Sequence, residues 1–149
     1  MTSSSPTIGP FSARLALCGL LLVCGTASAN LWQCDAKAVY QLTDSSEIKE
    51  VRSPDVTFTA EVGDIFYFDE SSGIVRQVSR VKPFNREHKF ELWQPGSDRN
   101  SAVGVYLRKG VQANPVMIIR VTAFQKEVKL LFMDDHGEIV TGRCRSLTR

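Results

Sequence analysis

Four cysteines, two histidines and a few acidic pairs bear whatever redox, metal or acid–base chemistry the chain can do, and most of their spacings argue against it. Cys18, Cys24 and Cys34 crowd into the stretch CGLLLVCGTASANLWQC, with Cys144 near the far end. No two form a C-x-x-C pair, which removes the sequence form of a thioredoxin-like redox centre and of a c-type haem attachment. A structural zinc site takes four ligands and would have to join isolated cysteines to His88 and His136, neither at a recognised spacing. Asp134-Asp135-His136, ahead of Gly137, offers oxygen and nitrogen ligands to a divalent cation. A hairpin turn needs the same residue types, Asp for local hydrogen bonds and Gly for positive φ, and the turn is the expectation. Asp69-Glu70, heading DESSG, reads likewise as a solvated turn. There is no nucleophile elbow, zinc helix, phosphate loop or dinucleotide fingerprint. No catalytic, metal or cofactor residue is therefore expected, and the chain is not expected to be an enzyme. A small hydrolase built from acids on distant strands ranks last among the readings.

The densest charge run is RQVSRVKPFNREHK, where Arg76, Arg80, Lys82, Arg86 and Lys89 face only Glu87 as an acid. It follows an acid-rich stretch from 30 to 70 and is the candidate patch for an anionic partner, against the blander reading that the two halves interleave in one domain. Phe84 within it and Trp93 nearby give a weak form of the basic and aromatic pattern of nucleic-acid binders. The formal charge of +2 becomes +1 if Arg14 is removed with a leader, too balanced for a concentrated basic footprint, so no nucleic acid is expected. Trp32 and Trp93 are expected to be buried, the default for aromatic residues in strands.

The elements that would position these residues begin after a leader. Arg14 precedes an uncharged apolar run from Leu15 to Gly25, followed by Ala27-Ser28-Ala29, the order of a secretory signal peptide. The run is about eleven residues, short of the roughly 20 needed to span a bilayer. Residues 1–29 are expected to be cleaved, leaving residues 30–149 as a single exported domain of about 120 residues. Leu17 and Val23, not small residues, precede Cys18 and Cys24, which disfavours lipid modification. Those cysteines would leave with the leader. In an oxidising compartment a disulfide is then the default for Cys34 and Cys144, free thiols or intermolecular pairing being the alternatives. The expected location is periplasmic or extracellular, with no transmembrane segment in the mature chain.

Alternating and branched apolar runs divided by turn signals predict strands near 36–42, 55–62, 64–69, 73–81, 88–93, 102–109, 115–124, 126–133 and 137–144. DESSG, QPGSDRNS, KGVQANP and DDHG mark the turns, Pro83 marks a bend, and residues 43–54 read as a loop or one helical turn. The expected fold is all-β, a small antiparallel meander closed into a barrel or curled sandwich of about eight strands. Cys34 and Cys144 would meet where the sheet closes. The expected function is non-enzymatic binding of a protein or small-molecule partner, with an accessory or structural role in a cell-envelope assembly as the alternative. Whether the interior is filled or holds a ligand decides what kind of partner fits.

Overall fold

The computed structural model describes residues 29–51, 60–81, 83, 85–107, 116–134 and 136–148. Residues 1–28, which hold most of the expected leader with Cys18 and Cys24, most of the strand expected at 55–62, Lys82, Phe84 and Asp135 lie outside the described residues. The last three residues of that expected strand are described and form no strand, Val62 and Gly63 making a turn. Among the described residues there is no helix, and hence none long and apolar enough to cross a membrane.

Among the described residues ten strands form one antiparallel sheet: β1 (Leu31–Leu42), β2 (Ile48–Glu50), β3 (Ile65–Asp69), β4 (Ile74–Val78), β5 (Asn85–Lys89), β6 (Glu91–Gln94), β7 (Ala102–Leu107), β8 (Val116–Val121), β9 (Lys129–Met133) and β10 (Glu138–Ser146). Their order is β5-β4-β3-β1-β10-β9-β8-β7-β6, with β2 paired to β1 inside the run expected as a loop. The two ends of this path, β5 and β6, are consecutive halves of residues 85–94, so the sheet curls until it nearly closes into a barrel. At Phe90 the chain changes partner, from β4 to β7. The Phe90 N–H donates to the Gly73 carbonyl at 2.7 Å, and a Cβ at Gly73 would lie 2.2 Å from the Phe90 oxygen. Gly73 also has φ of 71°, so both the turn and the close approach call for glycine.

β1 and β10 join the ends of the domain through nine paired residues, Cys34 opposite Cys144. The two cysteines are disulfide-bonded as expected, 110 residues apart in sequence. β1 is longer than its apolar pattern implied, because its register with β10 slips between Ala36 and Ala38. Trp32, Cys34 and Ala36 face inward before this bulge and Val39 after it, so one strand shows two phases of alternation. Lys37 is the extra residue. Opposite it, a Cβ at Gly142 would come within 2.2 Å of the Asp35 carbonyl oxygen.

The core packs Phe66, Phe68, Ile119, Val121, Leu130, Phe132 and Val140 against these β1 residues. In β7 the inward face is Ala102, Gly104 and Tyr106, while Val103 and Leu107 point away. Space is tight at Gly104, where a Cβ would sit 3.2 Å from the Phe90 Cβ and 3.1 Å from Ile119.

Candidate binding surface

The inside of the barrel is filled. A hollow with an apolar floor lies at the end where β4 and β9 finish, has room for only about 40 Å³, and rests on Phe66, Val75, Met117 and Phe132. That volume admits a few water molecules, far below the roughly 300 Å³ at which pockets for small organic ligands begin. Gln77, Arg86, His88, Asp134 and His136 rim it, bringing together both histidines of the chain.

The acids at this end are engaged by backbone N–H groups and neighbouring side chains. Asp134 Oδ1 accepts from the N–H groups of His136 and Glu138 at 3.0 and 2.9 Å, fixing the turn into β10, where Gly137 has φ of 79°. The hairpin reading of DDHG thus holds for its described residues. Asp64, 1% exposed, accepts from Gln77 Nε2 at 2.9 Å and from the Glu61 N–H at 3.1 Å. Glu138 accepts from the Ala60 N–H at 2.8 Å. Such contacts hold these carboxylates in structural roles, although Asp64 Oδ1 is buried without a hydrogen-bond partner among the described residues. Among the described residues no three His, Cys, Asp or Glu side chains come together as a metal-ligand set.

At the opposite end Glu70 corrects the sequence reading. It is 4% exposed, accepts from the Trp32 indole N–H and takes the Gly96 N–H at 2.9 Å, so it seals that end and is not a solvated turn residue. Asp69 beside it does serve the turn. It accepts from the Ser71 hydroxyl at 2.6 Å and the Ser72 hydroxyl at 2.8 Å. Donation from Ser71, then from Ser72, outweighs burial and holds its carboxyl below the ordinary aspartate range. Trp32 is buried as expected, whereas Trp93 is 64% exposed because it occupies a register irregularity between Leu92 and Gln94 on β6.

The described members of the basic run are divided between faces. Arg76 on β4 is paired with Glu87 on β5 at 2.6 Å, and Arg80 reaches Asp35 at 3.7 Å. Arg86 turns to the rim of the small hollow, and Lys89 is exposed beside Ile74. Strand alternation is the cause: neighbours in a basic sequence run point to opposite sides of the sheet.

A different set of cations gathers from three separate parts of the chain. Lys129 on β9 and Arg143 on β10 are direct cross-strand neighbours. Lys37, the bulge residue of β1, joins them along a groove of about 480 Å³ over Thr141 and Gly142. A second groove of about 580 Å³ shares Arg143 and Glu127 with the first. It runs between the end of β10, with Arg145, and the β8–β9 turn, with Lys126. Among the described residues none of Lys37, Lys126, Lys129, Arg143 and Arg145 makes an ion pair. Asp35, across from Arg143 on β1, is engaged by Arg80. Like charges placed directly opposite in a sheet cost stability unless something neutralises them. The sequence reading missed this cluster because its members are spread over 109 positions, from Lys37 to Arg145. Their one local signal was KEVK, with Lys126 and Lys129 spaced around Glu127.

Compared with known proteins, the chain matches no family model, no curated protein and no solved structure.

Proposed function

We propose that the chain is a small exported binding module without enzymatic activity, which holds an anionic partner on the outside of a disulfide-closed barrel. The observation that carries this reading is the pair of adjoining grooves walled by five cations that have no counter-ion among the described residues. A filled interior supports it, since a hollow of about 40 Å³ leaves the outer surface as the place for a partner. The disulfide supports export, because such bonds persist where the medium is oxidising. A surface that concentrates one sign of charge in a concave site speeds encounter with the opposite sign and excludes like-charged competitors.

The test is titration of the mature chain with poly-glutamate and with polyphosphate at low salt, followed by fluorescence anisotropy of the labelled polyanion. Binding that weakens steeply with added salt is expected. Reversing Lys129 and Arg143 to glutamate should weaken it at least about tenfold, a change of roughly 1.4 kcal/mol. Reversal at Arg80, Lys82 and Arg86 examines the run singled out by sequence and should have the smaller effect, since Arg80 is already paired and Arg86 faces the hollow. If neither polyanion binds, the reading fails.

A further inference from the structure

The groove between β10 and the β8–β9 turn offers more than charge. β9 ends its ladder at Lys129 opposite Arg143, but β10 continues to Ser146. The Cys144 N–H still reaches the Val128 carbonyl at 2.8 Å on that side, and the Leu147 N–H turns to the Leu31 carbonyl of β1 at 2.7 Å. Backbone groups two residues apart in a strand point the same way, so Ser146 directs its N–H and C=O toward the groove where β9 would have been. Among the described residues they meet no backbone partner there. Ser146, Arg145, Lys126 and Val128 all line this groove. A strand edge with open donors and acceptors is a template for another extended chain.

We infer that this groove binds an extended acidic segment of a partner protein, whose backbone pairs with the β10 edge at Ser146 and whose carboxylates meet Lys126, Arg143 and Arg145. The inference rests on the binding reading above and names the class of partner. An added strand draws affinity from main-chain hydrogen bonds and selectivity from the side chains beside it. A polyphosphate or sulfated glycan could use the five cations but has no peptide N–H or C=O to offer the edge. A lipid surface would have to enter a groove, whereas the cations line its walls. Among the described residues Glu127 is the single acid on either groove's wall, and it sets a position the partner's carboxylates must avoid.

The probe is a fluorescein-labelled peptide of about ten residues alternating Glu and Thr, compared with one in which every Thr is Pro. The second keeps the charge and loses half of the amide donors. Sodium polyphosphate and vesicles containing an anionic phospholipid complete the set. The expected result is binding of the Glu-Thr peptide at low salt and at least about tenfold weaker binding of the proline peptide. Arg143→Glu with Arg145→Glu should lower binding of the peptide and of polyphosphate together. Ser146→Pro removes the edge N–H together with the hydroxyl that accepts from the Thr148 N–H, and relative to Ser146→Ala, which loses the hydroxyl alone, it should lower peptide binding while leaving polyphosphate binding unchanged; unaltered melting temperatures show that each variant is folded. Lys126→Glu, in the turn and outside the ladder, replaces the arginine pair if that pair does not fold. If the proline peptide, polyphosphate or vesicles bind as tightly as the Glu-Thr peptide, or if Ser146→Pro changes nothing, the peptide inference falls while the anionic-partner reading stands. If no probe binds, both fall.

Discussion

Asp69 and Glu70 are adjacent carboxylates with opposite fates, and the difference is set by which side of β3 each leaves. Glu70 enters the end of the barrel, where its oxygens take the Trp32 indole N–H and the Gly96 N–H. Each would otherwise be a donor withdrawn from water, at a cost of roughly 1–3 kcal/mol. Asp69 stays at the surface and organises Ser71 and Ser72 into the turn that brings Gly73 to Phe90. Because the Ser71 hydroxyl favours the charged form most strongly, the folded protein holds a proton at Asp69 less well than the unfolded chain does. The stabilisation from ionised Asp69 is therefore complete above the unfolded value, near pH 4, and is lost as pH falls through the lower folded value. Asp69→Asn should lower the urea midpoint at neutral pH, and its deficit should shrink as both proteins are taken below the ordinary aspartate range. A carbon-detected titration of Asp69 gives the direct check. A midpoint at or above the ordinary aspartate value would mean that the serine hydroxyls do not donate to it in solution.

At the scale of the strand, β9 and β10 set Lys129 against Arg143 at one register position. Opposite charges at such a position stabilise, and like charges destabilise, by roughly 0.2–1 kcal/mol. Lys129→Glu should therefore raise stability by about 0.2–1 kcal/mol in low salt, a gain that fades as salt is added, while anion binding falls. Equal thermal melts in wild type and variant would show that the side chains diverge into water and that no binding pressure is needed to explain the pair. This arrangement was illegible in the sequence for the same reason that much else was legible. Turns at DESSG and DDHG, and the bend at Pro83 between β4 and β5, follow from chemistry within a few residues, and all three are where the sequence placed them. Inward and outward faces depend on the strand next door. β7 turns Gly104 inward, where Phe90 and Ile119 fill the space, although Val103, Val105 and Leu107 share the more apolar face and Val105 is itself buried on it. Likewise the β1 bulge at Lys37 exists because Gly142 lets Asp35 approach, a pairing made across more than 100 residues. A basic run that spans β4, the bend and β5 splits between two faces, and a basic surface forms from residues that no sequence window contains.

Across the whole molecule, the path of strands brings the first and last together at the centre of the sheet, while residues 85–94 close the ring on the far side. The β1–β10 pairing is thus the contact of greatest sequence separation and the one the bridge fixes, Cys34 being fully buried and bonded to Cys144. Folding without the bridge must bring together two chain ends separated by 110 residues before any of their nine paired positions can form. With the bridge, that search is already restricted in the unfolded chain, a stabilisation of about 4–5 kcal/mol in the chain-entropy description. Domains of this size have a total stability of roughly 5–15 kcal/mol, so the bridge can account for much of the margin. The double variant Cys34→Ala, Cys144→Ala should lose about 4 kcal/mol or more in urea unfolding, part of it from the small cavity left at Cys34. Its m-value should rise, because an unbridged unfolded chain exposes more surface. Reducing the wild type separates the two contributions, since it removes the cross-link and leaves both sulfur atoms in place. If the reduced protein unfolds at nearly the same urea concentration as the oxidised one, the β1–β10 ladder alone holds the termini.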